Sequence, residues 1–309
     1  VHASEPWNLI LAGPGSGKTR VQIARAVELR ARGVTPASMA FVTFTNSAAK
    51  VLRKRLAEAI GPVGFVGTLH AMMLAHLRRA NPRLVMVPEE TADEILMEHA
   101  RKLGYKGSLE SLAKARREHR PTVQVIMQAE ERVVAAYRRA MLDDHLLDFD
   151  MVLIEGLRSL ATRPVSYRAV FVDEFQDSAR ADAAIYLAMS PEFLTVTGDC
   201  DQSIYTFRGA RPENVLDFMG DPRFRTHLLA ENYRCGPRIC AAANAVIRLN
   251  VDRVKKETVA AVPANDTVSC KVCVDGRDEA STITASVRAL LDTGMPAAEI
   301  AVLTRTNAL

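Results

Sequence analysis

Residues 9–20 read LILAGPGSGKTR, and this stretch decides the fold prediction. An apolar run is followed by a loop with three glycines and one proline, and a helical pattern begins at Lys18. Glycine reaches backbone conformations that are closed to other residues, so successive N–H groups can converge on an anion. The N-terminus of the following helix directs its positive dipole end at the same anion. The stretch therefore predicts a phosphate-binding loop between a strand and a helix.

The side chains of this loop predict that the bound phosphate compound is ATP with Mg²⁺. Lys18 supplies a point charge for the β- and γ-phosphates, and Thr19 offers a hydroxyl to the metal. A chance glycine-rich turn is the alternative, but the strand before the loop and the helix after it favour the nucleotide site. The predicted nucleotide-binding residues of the loop are Gly13, Gly15, Ser16, Gly17, Lys18 and Thr19.

A second segment, VFVDEFQD at 170–177, places two acids at the end of an apolar strand. We expect Asp173 to hold Mg²⁺ through its solvation shell and Glu174 to polarise the attacking water. Two adjacent carboxylates could also form a solvated strand terminus. The presence of the phosphate-binding loop makes that alternative improbable.

A third segment, TGDCDQSIYTFRGA at 197–210, combines an amide with aromatic and basic side chains. Gln202, near a strand end, could sense the γ-phosphate. Tyr205, Phe207 and Arg208 follow closely, and aromatic faces beside a cation suit the bases and backbone of single-stranded DNA. The alternative, that both rings fill the core, is equally favoured by this segment alone.

Composition and charge agree with an intracellular protein that can bind a polyanion. The 309 residues are 48% hydrophobic and 25% charged, which is typical of a globular chain with room for two domains. The formal charge of +4 permits a nucleic-acid partner without requiring one. The five cysteines are sparse, as in proteins with reduced thiols, and no apolar run approaches the roughly 18 residues that span a bilayer.

The order of β-rich and helical patterns predicts a doubly wound α/β fold. Strand, helix and strand alternate, which implies parallel pairing, and the strands are apolar along their length. The predicted strands are 8–13, 39–45, 63–68, 167–174 and 192–199, followed by 226–230, 267–275 and 299–305. We predict a first domain over 1–87 and 148–225, an inserted helical subdomain over 88–147, and an incomplete second domain over 226–309.

Several blocks of the chain resemble, in order, those of superfamily 1 DNA helicases of the UvrD/Rep/PcrA type. The most specific are DEFQD and GDCDQSIYTFRGA. The resemblance implies a P-loop NTPase with a RecA-like parallel sheet, a helical insertion and the beginning of a second RecA-like domain. The blocks are AGPGSGKT (12–19), FVTFTNSAAKVLRKRL (41–56), GTLHAMM (67–73), VDEFQD (172–177), GDCDQSIYTFRGA (198–210) and ENYRCGPRI (231–239).

The resemblance implies further roles at matching positions. Arg20 would pack against adenine opposite Tyr233, and Arg234 would reach the γ-phosphate as an arginine finger from the second domain. The DNA contacts would come from two blocks and from the aromatic loop, where Phe207 stands in place of the usual tryptophan. These DNA-binding candidates are Phe44, Asn46, Thr68, His70, Tyr205, Phe207 and Arg208.

The resemblance predicts an ATP-dependent DNA helicase that moves 3′→5′ on single-stranded DNA and acts at single/double-strand junctions, with possible protein partners in repair or recombination. The family's upstream adenine-reading block has no room, and its later motifs would lie beyond Leu309. We therefore expect the front half of such an enzyme, unable to unwind alone. The alternatives are the motor segment of a RecB/AddA-like helicase–nuclease, and an ATP-gated DNA-binding module that does not unwind.

Overall fold

The computed structural model describes residues 5–117, 129–206, 209–250, 253–263 and 266–304. The chain divides into a first unit, residues 1–266, and a second unit, residues 267–309. None of the helices in the described ranges combines the length and the apolar character needed to cross a lipid bilayer.

Strands and helices alternate along most of the described chain. The strands are β1 (Trp7–Ala12), β2 (Met39–Val42), β3 (Phe65–Gly67), β4 (Val85–Met86), β5 (Leu146–Leu147), β6 (Ala169–Val172), β7 (Phe193–Gly198), β8 (Phe224–Leu229), β9 (Glu231–Asn232) and β10 (Val259–Ala260). The helices are α1 (Lys18–Ala31), α2 (Asn46–Ile60), α3 (Leu69–Ala80), α4 (Glu89–Lys102), α5 (Leu109–Arg117), α6 (Ala129–Asp143), α7 (Phe149–Leu160), α8 (Arg180–Met189), α9 (Glu213–Gly220), α10 (Pro237–Ile247) and α11 (Gly276–Asp292).

Six of the strands form one parallel sheet in the order β3-β2-β6-β7-β1-β8. Side chains alternate between two hydrophobic clusters. In β2, Met39 and Phe41 enter one cluster, and Ala40 and Val42 enter the other. Helices α1 and α2 complete the first cluster, and α3, α7 and α8 contribute to the second. A strand covered on both faces must be apolar throughout, which explains its sequence. The predicted RecA-like parallel α/β sheet is confirmed.

The residues predicted as an inserted helical subdomain form α4, α5 and α6. This group begins and ends at a two-stranded ladder, in which Val85 pairs with Leu146 and Met86 with Leu147. One hydrophobic cluster runs from these helices to the sheet, because Leu96, Leu112 and Tyr137 belong to the same cluster as the strand residues. The helical segment is therefore packed into the first unit's core rather than suspended from it.

A buried arginine holds these helices together. Arg116 of α5 is 4% exposed, and its guanidinium lies 3.0 Å from Asp93 of α4 and 3.4 Å from Asp150 of α7. Its Nε also lies 3.9 Å from Asp148, which accepts a hydrogen bond from Tyr137 of α6 at 2.6 Å. Burial acts to lower the pKa of Arg116, but these carboxylates outweigh it and raise that pKa. One cation thus joins four helices.

We expect Arg116→Met to destabilise the helical segment strongly. Removing one partner of a buried ion pair leaves uncompensated charge and costs about 3–5 kcal/mol. Urea denaturation followed by circular dichroism measures the free energy of unfolding. Arg101→Met, at an exposed position of α4, is the control and should change stability by less than about 0.5 kcal/mol. Equal stabilities for the two variants would show that the Arg116 cluster contributes nothing.

The segment 226–230, predicted to open the second domain, belongs to the first sheet instead. Residues 226–229 lie in β8, which pairs in parallel register with β1 from Trp7↔Phe224 to Ala12↔Leu229. Which sheet a strand joins depends on its hydrogen-bond partners. For β8 these partners lie more than 200 residues away in sequence, and the periodicity of the sequence does not reveal them. The predicted boundary between residues 225 and 226 therefore falls inside a strand.

In its described part, residues 267–304, the second unit contains α11 but neither of the two strands predicted for it. Within its described residues, 267–275 and 300–304 are not assigned as strands. Val272, Val274 and Leu303 are each more than 90% exposed, at 91%, 94% and 93%. These segments carry apolar strand-like sequence without a neighbouring strand, and a strand needs one for its backbone hydrogen bonds.

Candidate functional site

The predicted functional segments follow strands of one parallel sheet and share one edge of it. All six strands run in the same direction, so their carboxyl ends meet at this edge, where ligands bind in open α/β sheets. In the order β3, β2, β6, β7, β1 and β8, the segments that follow the strands begin at Thr68, Thr43, Asp173, Asp199, Gly13 and Ala230.

The phosphate-binding loop has the conformation that its glycines allow. Gly15 and Gly17 have φ of 67° and 86°, in the left-handed region that glycine reaches without strain. Gly15 is also needed for space, because a Cβ there would lie 2.7 Å from Oδ1 of Asn232. The hydroxyl of Ser16 donates to the carbonyl of Gly13 at 2.7 Å. Helix α1 begins directly after Gly17, so its free N–H groups adjoin the loop.

Lys18 and Glu174 meet at this edge, with 3.1 Å between Nζ and Oε2. The same Oε2 accepts a hydrogen bond from Nε2 of Gln176 at 2.8 Å. Glu174 has φ of 52°, a conformation that costs a non-glycine residue about 1–3 kcal/mol. Strained residues of this kind cluster at active sites, because the surrounding structure holds them in place. The turn after β6 therefore directs its second acid toward the loop lysine.

Asp173 is held by a relay of polar side chains. Gln22 of α1 donates to the hydroxyl of Thr197 at 2.8 Å, and that hydroxyl donates to Oδ1 of Asp173 at 2.8 Å. Burial raises the pKa of Asp173, and the charge of Glu174 raises it further, while Thr197 and Lys18 act to lower it. The charged form of this carboxylate is therefore disfavoured unless a cation is near.

This environment fits a magnesium ion by its chemistry. Asp173 and Thr19 offer oxygen ligands, which a hard cation prefers. In nucleotide sites Mg²⁺ keeps several waters and takes one or two carboxylates, so one buried acid beside a hydroxyl suffices. A bound cation would also compensate the unfavourable burial of the Asp173 charge.

The ENYR segment lies directly on the phosphate-binding loop. The backbone N–H of Tyr233 donates to the carbonyl of Gly15 at 2.9 Å, and the amide of Asn232 donates to the carbonyl of Pro14 at 2.8 Å. Oδ1 of Asn232 in turn accepts from the backbone N–H of Arg234 at 2.8 Å. The side chains of Arg20, Tyr233 and Arg234 are exposed here. The structure thus brings the predicted adenine pair and arginine finger to the loop.

Gln202 lies at the same edge and is bonded to a neighbouring acid. Its Nε2 donates to Oδ2 of Asp199, and in the described residues it makes no hydrogen bond to Lys18 or Glu174. Lys256 forms ion pairs with Asp199 and Asp201, whose side chains are 1% exposed. Burial acts to lower the pKa of Lys256, but both carboxylates outweigh it and raise that pKa. The short 3₁₀ turn at Cys200–Gln202 is thereby fixed.

The predicted DNA-binding residues lie in the segments that follow β2, β3 and β7. Phe44 is 38% exposed and packs against Tyr205, with ring centroids 4.8 Å apart and an angle of 36°. Asn46 begins α2, and Thr68 caps α3 by accepting from the N–H of Ala71 at 3.3 Å. Phe207 and Arg208 lie outside the described residues. The structure therefore brings the partly exposed Tyr205 to Phe44.

His70 stacks on Phe149, an aromatic residue that was not predicted as functional. The ring centroids are 3.6 Å apart, the planes differ by 16°, and Phe149 is 59% exposed. Burial lowers the pKa of His70 to about 4, so its imidazole is neutral at pH 7. A neutral ring cannot act as a cation toward phosphate, and this pair presents a flat apolar surface instead.

Several residues that shape the site escaped the sequence-based prediction. Gln176 follows the predicted acids by only two positions, and its place within the DEFQD block was the available signal. The others act through contacts that only the folded chain creates, although Thr197 and Asn232 lie within quoted motifs. They are Gln22, Thr197, Asn232, Lys256 and Phe149.

Comparison with known proteins shows the family of the chain. The family of UvrD/REP helicase N-terminal domains matches residues 1–120 and 108–223, and that of UvrD-like helicase C-terminal domains matches 227–309. Similar proteins include the ATP-dependent DNA helicases PcrA of Staphylococcus epidermidis and Staphylococcus aureus, each 30% identical over 342 and 345 aligned residues. The alignments cover all of this chain and 47% of each relative, so the chain spans about half their length. The chain belongs to the UvrD/REP helicase family.

Proposed function

We propose that this chain is the ATP-binding part of an ATP-dependent DNA helicase, which couples ATP hydrolysis to movement along single-stranded DNA. One observation carries the proposal. The carboxyl edge of the sheet has a nucleotide half beyond β6, β7, β1 and β8 and an aromatic half beyond β2 and β3. The segment after β7 reaches both halves, because it contains Gln202 and also Tyr205, which packs on Phe44.

The residues of the nucleotide half can divide the work of hydrolysis among them. Lys18 binds the β- and γ-phosphates beside the N–H groups of the loop. Thr19 and Asp173 hold Mg²⁺, which neutralises phosphate charge when bound. Glu174 orients and deprotonates the attacking water.

A second group of residues in the nucleotide half contacts the γ-phosphate or the adenine of bound ATP. Gln202 senses the γ-phosphate once its amide leaves Asp199, and Arg234 stabilises the charge that develops there. Arg20 and Tyr233, both exposed beside the loop, hold the adenine between them. Closure of the ENYR segment around ATP, and its opening after hydrolysis, would change how tightly the aromatic half binds DNA.

We propose that the aromatic half binds single-stranded DNA and single/double-strand junctions, and that the protein moves 3′→5′ along the strand. We place this activity in DNA repair, replication or recombination, together with protein partners. The support is similarity to relatives named as DNA helicases. A RecB/AddA-like helicase–nuclease and a DNA-binding module that does not unwind remain the competing assignments. Because this chain by itself is expected not to unwind, the test uses a protein with the full length of the relatives. Strand displacement by that protein from a 3′-tailed duplex, compared with a 5′-tailed one, tests the direction and separates a motor from a module.

We expect Tyr205→Ala to weaken binding of single-stranded DNA about 5- to 100-fold, since stacking on a base is worth about 1–3 kcal/mol. Fluorescence anisotropy with a labelled oligothymidine measures the dissociation constant. Tyr167→Ala is the matched control, because Tyr167 is similarly half-buried but precedes β6 at the opposite edge of the sheet. Unchanged DNA affinity together with a large loss of thermal stability would show that Tyr205 serves only the core.

A further inference from the structure

Gln176 joins the two loops that the proposed function assigns to chemistry and to DNA. Its side chain is buried, with 2% exposed, and both ends of the amide are used. Nε2 donates to Oε2 of Glu174 at 2.8 Å, and Oε1 accepts from the backbone N–H of Asp199 at 2.9 Å. The backbone carbonyl of Gln176 also accepts from the hydroxyl of Ser203 at 3.2 Å. One residue therefore contacts the acid after β6 and two positions of the segment after β7.

From this geometry we propose that Gln176 is a positioning residue, through which single-stranded DNA on the Tyr205 loop sets the position of the Glu174 carboxylate. The inference rests on the proposed function, because it assumes that Glu174 acts on water and that Tyr205 meets DNA. It adds the physical connection between the two.

The contacts around Gln176 leave its amide little freedom. A Cβ on Gly198 would lie 3.0 Å from Oε1 of Gln176, so the carbonyl end is tightly enclosed. Its two bonds need one donor and one acceptor on a single planar group, which an amide supplies and a carboxylate or thioether does not. A shift of the Asp199 backbone would therefore move the side-chain amide, and with it the N–H that Glu174 accepts. A shift of Ser203 would act through the backbone carbonyl of Gln176 instead.

The segment that would transmit DNA binding is short. Tyr205 packs against Phe44 in a tilted arrangement and lies two residues after Ser203. At the other end of this segment, Lys256 forms buried ion pairs with Asp199 and Asp201 and so holds them in place. In this proposal, a base that displaces the Tyr205 ring shifts the chain between these points, and Gln176 bonds to that stretch twice. Chains of contacting residues and hydrogen bonds can carry coupling between two sites.

Two substitutions separate the bonds of Gln176. Gln176→Met keeps the shape of the side chain and removes both hydrogen bonds of the amide. Gln176→Glu keeps an acceptor for the N–H of Asp199 but replaces the donor with an oxygen that faces Glu174. Asn214→Leu is the matched control, because Asn214 is a buried amide of the same region that donates to the carbonyls of Ser178 and Ala179. Thermal melting reports whether each variant is folded.

The test is the ratio of ATP turnover with saturating oligothymidine to turnover without it, together with the change in DNA affinity caused by a non-hydrolysable ATP analogue. We expect both Gln176 variants to lose the stimulation and the change in affinity, each by a factor within the 5- to 150-fold range that is typical of coupled sites. The KM for ATP and the affinity for DNA without nucleotide should stay near those of the parent. Asn214→Leu should retain the full coupling.

Parent-like coupling in a folded Gln176→Glu or Gln176→Met protein would overturn the inference. So would equal losses of turnover with and without DNA, since Gln176 would then serve Glu174 independently of the Tyr205 loop. Should Gln176→Met fail to fold, Ser203→Ala removes one bond at the edge of the same contact and should lower the coupling in part. A parent protein that neither hydrolyses ATP nor binds DNA would refute the proposed function itself, a result distinct from uncoupling.

Discussion

Glu174→Gln is expected to lower ATP turnover by about 10²–10⁴-fold, the usual contribution of a positioned acid–base group. The substitution removes the charge and the proton affinity of the side chain but hardly changes its shape. The new amide oxygen can still accept from Lys18 and Gln176, which lie 3.1 Å and 2.8 Å from the present carboxylate oxygen. Nucleotide affinity should therefore remain close to that of the parent.

Release of inorganic phosphate under single-turnover conditions measures this effect, and binding of a fluorescent ATP analogue measures the retained affinity. Glu192→Gln is the control, because Glu192 is an exposed acid that precedes β7 at the opposite edge of the sheet. If Glu174→Gln hydrolysed ATP at the parent's rate, another group would have to act on the attacking water.

Local sequence was sufficient to predict the sheet and its phosphate-binding loop. In β2 and β6 every residue is buried, and an apolar run is the pattern of a strand covered on both faces. The positive φ of Gly15 and Gly17 follows from residue type, because few other residues adopt it. The apolar strands and the glycine conformations depend on residue type and on neighbours in the chain, so they can be predicted from the sequence alone.

Features that depend on distant contacts could not be predicted. The order of the strands, with β8 beside β1, is decided by hydrogen bonds between segments more than 200 residues apart. His70 and Phe149 stack although 79 positions separate them. Lys256 follows α10 in the chain and forms an ion pair with Asp199, which follows β7. The hydrogen bond from the amide of Gln202 to Asp199 was likewise not predicted, because it depends on the fold of the turn after β7.

Arg234→Ala is expected to have the largest effect, a loss of about 10³–10⁵-fold in ATP turnover, because arginine fingers contribute this much in other phosphate-transfer enzymes. Asn232 fixes where the side chain begins, by accepting the Arg234 N–H at 2.8 Å. From there the Cβ of Arg234 packs over the phosphate-binding loop, 2.8 Å from where a Cβ on Gly15 would lie. The side chain of Arg234 is exposed and forms no ion pair within the described residues. Its guanidinium can therefore contact a bound nucleotide without first breaking one.

The comparison of Arg234→Lys with Arg234→Ala separates charge from geometry. Lysine keeps the positive charge but lacks the planar fork that binds two phosphate oxygens at once, so it should restore only a small part of the lost rate. Arg238→Ala is the control, because Arg238 is an exposed arginine four residues further along the same segment. Single-turnover hydrolysis should fall for Arg234→Ala while binding of the ATP analogue changes far less, since the finger acts on charge that develops during the reaction. Parent-like hydrolysis by Arg234→Ala would mean that a different residue stabilises that charge.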